Sequence, residues 1–310
     1  MATPIPESPQ VRPLTLDAGG TPLSGLLAEP PGRAPRAVVV ALHGGGMSAG
    51  YFDSRARPGL SLLTLGAELG FTVLSLDRPG YGASARRHPE GLDLAGQGEV
   101  LRSALAGFAP GTARGAGFFL LAHSSGGRLA LAAAGEDRVG ATPLLGVDIS
   151  GLGRRFAVEH RELPGRDGRG AWRKHWGALR FYPPDALLTS SGLVRPVPSR
   201  EAGETLSWPR MYPEIAARVR VPVRFTFAEQ EQWWRHDEQA VAELLAPLAA
   251  PRAEVVRQPH AGHNISLGWA ARTYHLRALA FLEECLLARD AALPAPGVRG
   301  RTESSVLRSL

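Results

Sequence analysis

Short, continuous apolar runs separated by stretches of helical spacing dominate the first half of the chain. Residues 37–42 (AVVVAL), 71–76 (FTVLSL), 117–122 (GFFLLA) and 144–149 (LLGVDI) have no polar alternation, the pattern of strands covered on both faces. Between them, residues 57–70 place Leu60, Leu63, Ala67 and Leu69 on a helical repeat that stops at Gly70, and residues 97–108 read as a second helix. Strand alternating with helix implies a mostly parallel central sheet flanked by helices on both faces. Ahead of this pattern, 14–18 and 23–28 flank Gly19-Gly20-Thr21-Pro22, as two strands joined by a tight hairpin would at an antiparallel edge. The alternation stops at residue 152. It resumes with a strand at 221–227, a helix at 237–248, a strand near 253–258 and a long helix at 269–287.

That gap shapes the expected domain plan. A structureless stretch as long as 152–212 does not suit a compact domain, so it predicts an inserted cap of short helices. The core then falls in two parts, 14–151 and 213–288. A flexible N-terminus over 1–13 and a Pro/Gly/Arg/Ser-rich flexible tail over 289–310 complete the plan. Arg154, Arg155, Arg161, Arg166, Arg169 and Arg173 fall within the gap. They read first as a solvated face, with an acidic carrier protein or a substrate carboxylate as the alternative. The gap also holds Trp172, Trp176, Phe181, Tyr182, Trp208 and Tyr212, more rings than a small cap needs for its own core. A lid lined by Trp172, Trp176, Tyr182 and Trp208 would favour a bulky hydrophobic or aromatic group.

The candidate chemistry centres on residues 120–127, LLAHSSGG, where an apolar strand meets an Ala/Leu-rich helical run beginning at Arg128. A serine at so sharp a turn needs small neighbours, and Ala122 and Gly126 supply them around Ser124. A serine hydroxyl is a poor nucleophile at neutral pH without a base and a carboxylate to orient that base. His263 follows Gly262 in a tight loop ahead of the last helix and is the favoured base, with His260 in reserve. Glu229, Glu231 and Asp148 are the carboxylates that stand at or near the ends of strands. The glycines of His43-Gly44-Gly45-Gly46 follow a buried strand, where backbone N–H groups can be aimed at developing negative charge. Gly45 and Ser125 are assigned as the oxyanion donors, with Gly46 next. His43 and His123 read as positioning residues, and His123 and Gly46 as part of the substrate site.

Composition narrows the function classes. With 35 basic and 29 acidic residues the chain carries +6, but the basic residues are dispersed and accompany no nucleic-acid motif. Cys285 is the only cysteine, so neither an intramolecular disulfide nor a cysteine zinc cluster is expected. The N-terminal residues carry no apolar signal core and no segment reaches a membrane span in length. A cytoplasmic protein with no membrane partner is expected.

The pieces LHGGG (42–46), DRPGYGAS (77–84), AHSSGG (122–127), VPVRFTFAEQE (221–231) and HAGHN (260–264) together resemble the α/β-hydrolase superfamily. The resemblance covers about 14–287 apart from the cap. It implies Ser-acid-His chemistry without metal or organic cofactor, and it places the acid at Glu231. An ester or thioester of a small molecule, free or carrier-bound, is then the expected substrate, cleaved through an acyl-Ser124 intermediate. An acyltransferase using the same acyl-enzyme, or a non-catalytic binding protein on this scaffold, would share these residues.

Overall fold

A computed structural model of the chain describes residues 10–108, 114–159, 162–163 and 172–292. The hairpin expected at the start is formed by β1 (Arg12–Ala18) and β2 (Thr21–Ala28), with Leu16 opposite Leu23. There follow β3 (Val38–Leu42), α1 (Leu62–Glu68), β4 (Thr72–Leu76), α2 (Leu94–Gly107), β5 (Phe118–His123) and α3 (Ser125–Ala133). Next come a two-residue β6 (Arg138–Val139) and β7 (Thr142–Ser150). The segment between β7 and β8 carries α4 (Trp172–Trp176), α5 (Ala186–Ser190), α6 (Ser199–Thr205) and α7 (Trp208–Ala216). The chain then forms β8 (Val223–Gln230), α8 (Glu238–Leu245), β9 (Ala253–Gly262) and α9 (Ala271–Ala292).

The sheet runs β1-β2-β4-β3-β5-β7-β8-β9, with β6 hydrogen-bonded to β7. β2 joins β4 antiparallel, and every pairing from β4 across to β9 is parallel. Successive side chains of a strand point to opposite faces, so the continuous apolar runs feed two cores. Val38, Val40 and Leu42 pack in one with Leu101 of α2, Leu129 of α3 and Tyr212 of α7. Val39 and Ala41 pack in the other with Leu63 of α1 and Phe281 of α9.

Capping explains where the helices depart from the apolar spacing. α1 starts at 62 rather than 57 because Pro58 and Gly59 interrupt and Ser61 caps it, accepting from the Thr64 N–H. α2 starts three residues before 97 because Asp93 accepts from the Gly96 N–H. α3 begins at Ser125 rather than Arg128, since the turn at Ser124 leads directly into the helix. α7 runs through position 212, so the helical stretch after β7 ends at Ala216, not at the expected cap boundary. β1 likewise includes residues 12 and 13, and α9 extends past 289. Residues 1–9 and 293–310 lie outside the described residues. No helix among those described is long and apolar enough to cross a membrane.

Gly126 sits where α3 crosses the end of β3. A Cβ there would stand 2.3 Å from the Leu42 carbonyl oxygen and 2.6 Å from that of His43, both backbone atoms that cannot swing away. Gly203, on α6, has nothing within 4 Å of the same position. Gly126→Ala is therefore expected to destabilise by about 1–3 kcal/mol through overpacking. Gly203→Ala should stabilise by roughly 0.5–1 kcal/mol by restricting the unfolded chain. Denaturant melts of both variants check this pair, and a Gly126→Ala protein as stable as the parent would contradict the packing argument.

Candidate active site

Ser124 stands at the end of β5 with φ 51° and ψ −120°, one of two non-glycine residues at positive φ among those described. Such a backbone costs roughly 1–3 kcal/mol and persists only where its surroundings over-determine it. Here the Ser124 N–H donates to the Ser150 carbonyl at 2.8 Å, and the Gly127 N–H donates to the Ser124 carbonyl at 2.8 Å. Fully buried Leu121 and Leu129, on either side of the turn, each contribute about as much by burial as the strain removes.

The second positive-φ residue, His260, lies at a bulge in β9, where pairing with β8 shifts register between Ala228 and Gln230. The bulge redirects the chain toward His263. His263 Nδ1 is 2.8 Å from Glu231 Oε2, with both side chains buried. A carboxylate only accepts, so Nδ1 carries the proton and Nε2 is left as the basic nitrogen. The other carboxylate oxygen, Oε1, accepts from the Trp233 N–H at 2.9 Å, which fixes the plane of the acid. The remaining candidates are engaged elsewhere. Glu229 accepts from the His260 backbone N–H, and Asp148 is fully buried between Arg224 at 2.6 Å and the Tyr274 hydroxyl at 3.2 Å.

Two further histidines surround His263. The His123 ring stacks on Tyr51 at 4.6 Å, lies 4.7 Å from the His263 ring and has Nδ1 2.9 Å from Ser150 Oγ. Burial, then the charges of His263 and His175, hold its pKa well below the ordinary value. Gly151 makes room for both rings, since a Cβ there would stand 2.8 Å from His263 Cε1 and 3.0 Å from His123 Cε1. His175, not foreseen in the sequence, has Nδ1 3.3 Å from Trp233 Nε1. Because an indole nitrogen only donates, His175 is neutral with its proton on Nε2. Burial first, and His263 second, push its pKa down to about 3.

The glycine loop is held from beneath. His43 Nε2 accepts from the Arg78 N–H at 3.0 Å, so Nδ1 carries the proton and donates to the Gly44 carbonyl at 2.7 Å. Burial and the nearby Arg78 charge push His43 down to about 4. Arg78 Nε donates to the His43 carbonyl, and its Nη2 binds both oxygens of Glu201 at 2.9 and 3.0 Å. The Tyr81 hydroxyl donates to Glu201 Oε2 at 3.0 Å and accepts from the Gly46 N–H at 3.1 Å. Glu201, carried by α6, thus holds both ends of the loop. No sequence signal marked it, because an acid in an irregular segment looks like surface.

Ser124, Ser125, His123, His263 and Gly44 to Gly46 line one cavity of about 670 Å³. Trp176, Trp233, Trp234 and Phe156 form an apolar part of its wall, with Phe156 stacked on Trp234 at 4.5 Å. Two expected ring contacts are corrected. Trp208 donates its indole N–H to the Gly153 carbonyl and packs on Tyr212 in the core, and Tyr182 is buried against Gly262, so neither lines this cavity. The side chain of Trp172 lies outside the described residues, as do Arg161, Arg166 and Arg169. Arg154 and Arg155 bind Glu243 on α8 and are absent from the cavity wall. Among the described residues no group of three or more His, Cys, Asp or Glu could hold a metal ion.

A strained serine and a histidine bonded to a carboxylate, all at the carboxyl ends of parallel strands, are the layout of the α/β-hydrolase fold. The chain belongs to the Alpha/beta hydrolase family, whose sequence pattern it matches over residues 39–275. Among solved structures, it is similar to a highly thermostable carboxyl esterase from Bacillus coagulans. The two share 18% identity over 89% of this chain and 99% of that one, with a TM-score of 0.63. A soluble variant of monoglyceride lipase from Saccharomyces cerevisiae is similar at 14% identity, over 91% and 96% of the two chains, with a TM-score of 0.62. Monoacylglycerol lipase of Paleococcus ferrophilus is 18% identical over 89% and 99%, with a TM-score of 0.59. No curated protein matches the sequence significantly.

Burial alone would raise the Glu201 pKa, but the charge and hydrogen bonds of Arg78, then Arg128 and Tyr81, leave it lowered overall. A lowered folded pKa gives stability that is fully present above the ordinary glutamate value near 4.5 and is lost as pH falls through the folded value. Glu201→Gln is expected to cost about 3–5 kcal/mol at pH 7, because it strands the buried Arg78 charge. The difference from the parent should shrink in acid. Denaturant melts at pH 7 and pH 3 test this, and a pH-independent difference would speak against the ion pair as its source.

Proposed function

We propose that the protein is a serine hydrolase that cleaves an ester or thioester of a hydrophobic or aromatic acyl group through an acyl-Ser124 intermediate. The observation that carries this reading is the 2.8 Å contact between Glu231 and His263, beside a strained Ser124 that opens into the same cavity. In this reading the His263 Nε2 takes the Ser124 proton as Oγ attacks the scissile carbonyl, and Glu231 stabilises the imidazolium that results. Backbone N–H groups of Ser125 and Gly45 receive the oxyanion. Collapse of the tetrahedral intermediate expels the alcohol or thiol, which takes its proton from His263. Water, deprotonated by the same imidazole, then releases the acid. The esterases and lipases among the structural neighbours share the fold.

The indole and phenyl groups of Trp176, Trp234 and Phe156 favour a bulky apolar acyl group over acetyl. Aromatic acyl esters are expected to exceed acetyl esters in kcat/KM by at least about tenfold, a difference of roughly 1.4 kcal/mol that modest apolar burial supplies. Equal rates on a p-nitrophenyl ester series would remove the apolar-pocket argument.

Replacing Ser124 or His263 by Ala should each lower kcat by at least about a thousandfold, with the double variant little worse than either, since the two residues act as one unit. Glu231→Gln should cost roughly 10³- to 10⁴-fold by removing the orienting charge. Fluorophosphonate labelling that disappears in Ser124→Ala identifies the nucleophile. Additive losses, or a folded protein that resists labelling, would contradict the assignment.

A further inference from the structure

Two arginines of the cavity wall, Arg128 and Arg195, have no role in this chemistry, and of the two Arg128 is the buried one. Arg128 lies one helical turn beyond Ser125 on α3, is 8% exposed and lines the cavity beside Ser124 and Ser125. Its Nη2 donates to Ser125 Oγ and to Thr205 Oγ1, the latter at 3.1 Å, which uses both protons of that nitrogen. The Nε and Nη1 protons have no acceptor among the described residues, and no ion pair joins Arg128 to a carboxylate among them.

The acids around it are committed. Both oxygens of Glu201 are held by Arg78, and Tyr81 adds a further hydrogen bond. Glu204 accepts from the Leu94 N–H at 3.3 Å and makes no ion pair with Arg128, and burial raises its pKa. Arg78 takes both oxygens of Glu201, so Arg128 lines the cavity with no carboxylate bonded to it among the described residues. Its two acceptors are neutral hydroxyls, and an anionic oxygen at Nη1 would give the guanidinium a charge-assisted hydrogen bond.

We infer that Arg128 is the receptor for a carboxylate carried by the substrate a few bonds from its scissile carbonyl, so that short dicarboxylic acid hemiesters are preferred. One carboxylate oxygen meets an Nη1 proton, and the rest of the molecule lies along the Trp176, Trp233 and Trp234 wall. This deepens the proposed function and rests on it only for the position of the scissile bond.

The test uses binding, so that it does not depend on turnover. Benzyl hydrogen succinate and its neutral analogue benzyl methyl succinate are titrated by calorimetry at pH 7 into Ser124→Ala protein. The anionic ester is expected to bind at least about tenfold tighter, the scale of a charge-assisted hydrogen bond. That ratio should fall toward one in Ser124→Ala/Arg128→Gln and survive largely in Ser124→Ala/Arg128→Lys. Equal binding of the two esters, no binding of the anionic one, or a ratio unchanged by Arg128→Gln would overturn the inference. If the Gln variant does not fold, the ratio in Ser124→Ala alone decides. Intact anion selectivity in a wild-type protein that hydrolyses neither ester would sink the hydrolase reading and leave the carboxylate subsite standing.

Discussion

The buried ion pair between Arg78 and Glu201 ties the segment after β7 to the loop after β3. Two charges removed from water cost several kcal/mol each, and their attraction offsets that only when the remaining donors and acceptors are also satisfied. Here they are engaged in full view of the glycine loop. Arg78 also binds the His43 carbonyl and the Gln97 side chain, and Glu201 also accepts from Tyr81. An apolar pair of equal volume would hold two elements together as firmly. It would not fix the orientation of the backbone from His43 to Gly46, because dispersion has no direction and hydrogen bonds do. The network therefore accounts better for a specified loop conformation than for net stability.

Strain and neutrality extend the same logic to the other side of the cavity. The Ser124 backbone is forced by β5 and α3, and no flexible element lies between strand and helix to relax it. Opposite it, His123, His175 and His263 crowd within ring distances of 4.7 and 5.6 Å of one another's partner in the cluster, an arrangement unfavourable if all were charged. Burial keeps His123 and His175 neutral, each with one ring nitrogen engaged. Of the three, His263 is the one bonded to a carboxylate among the described residues.

Much of the scaffold was legible from the sequence because it depends on local signals. The runs at 37–42 and 117–122 have the pattern of strands covered on both faces, and the small residues around Ser124 announced the turn. Helix starts were misplaced where a cap outweighed the apolar repeat, as at Ser61 and Asp93. Residues whose function depends on remote partners were not legible. None of Glu201, His175 and Arg128 belongs to a motif, and each acquires its role from contacts with residues 58 to 123 positions away, or from a cavity wall that no spacing reveals. The rings of Trp208 and Tyr182 failed for the converse reason, since an aromatic residue in an inserted segment fills its own packing as readily as it lines a pocket.

That Glu231, and neither Glu229 nor Asp148, bonds to His263 follows from backbone geometry. Glutamate reaches one methylene further than aspartate, so it fits where the acid-bearing loop stands back from the histidine. Directly after β8 the chain tightens, with the Glu231 N–H donating to the Ala228 carbonyl at 3.1 Å, and the register slip opposite His260 displaces the two strand ends relative to each other. The Glu231 carboxylate spans that offset to His263 Nδ1 while its second oxygen turns back to the Trp233 N–H of its own loop. An aspartate at 231 would have to give up one of those two contacts. The longer side chain and the bulge at His260 are therefore one structural solution, and Glu229, two residues earlier, is left to cap the His260 N–H and hold the bulge in place.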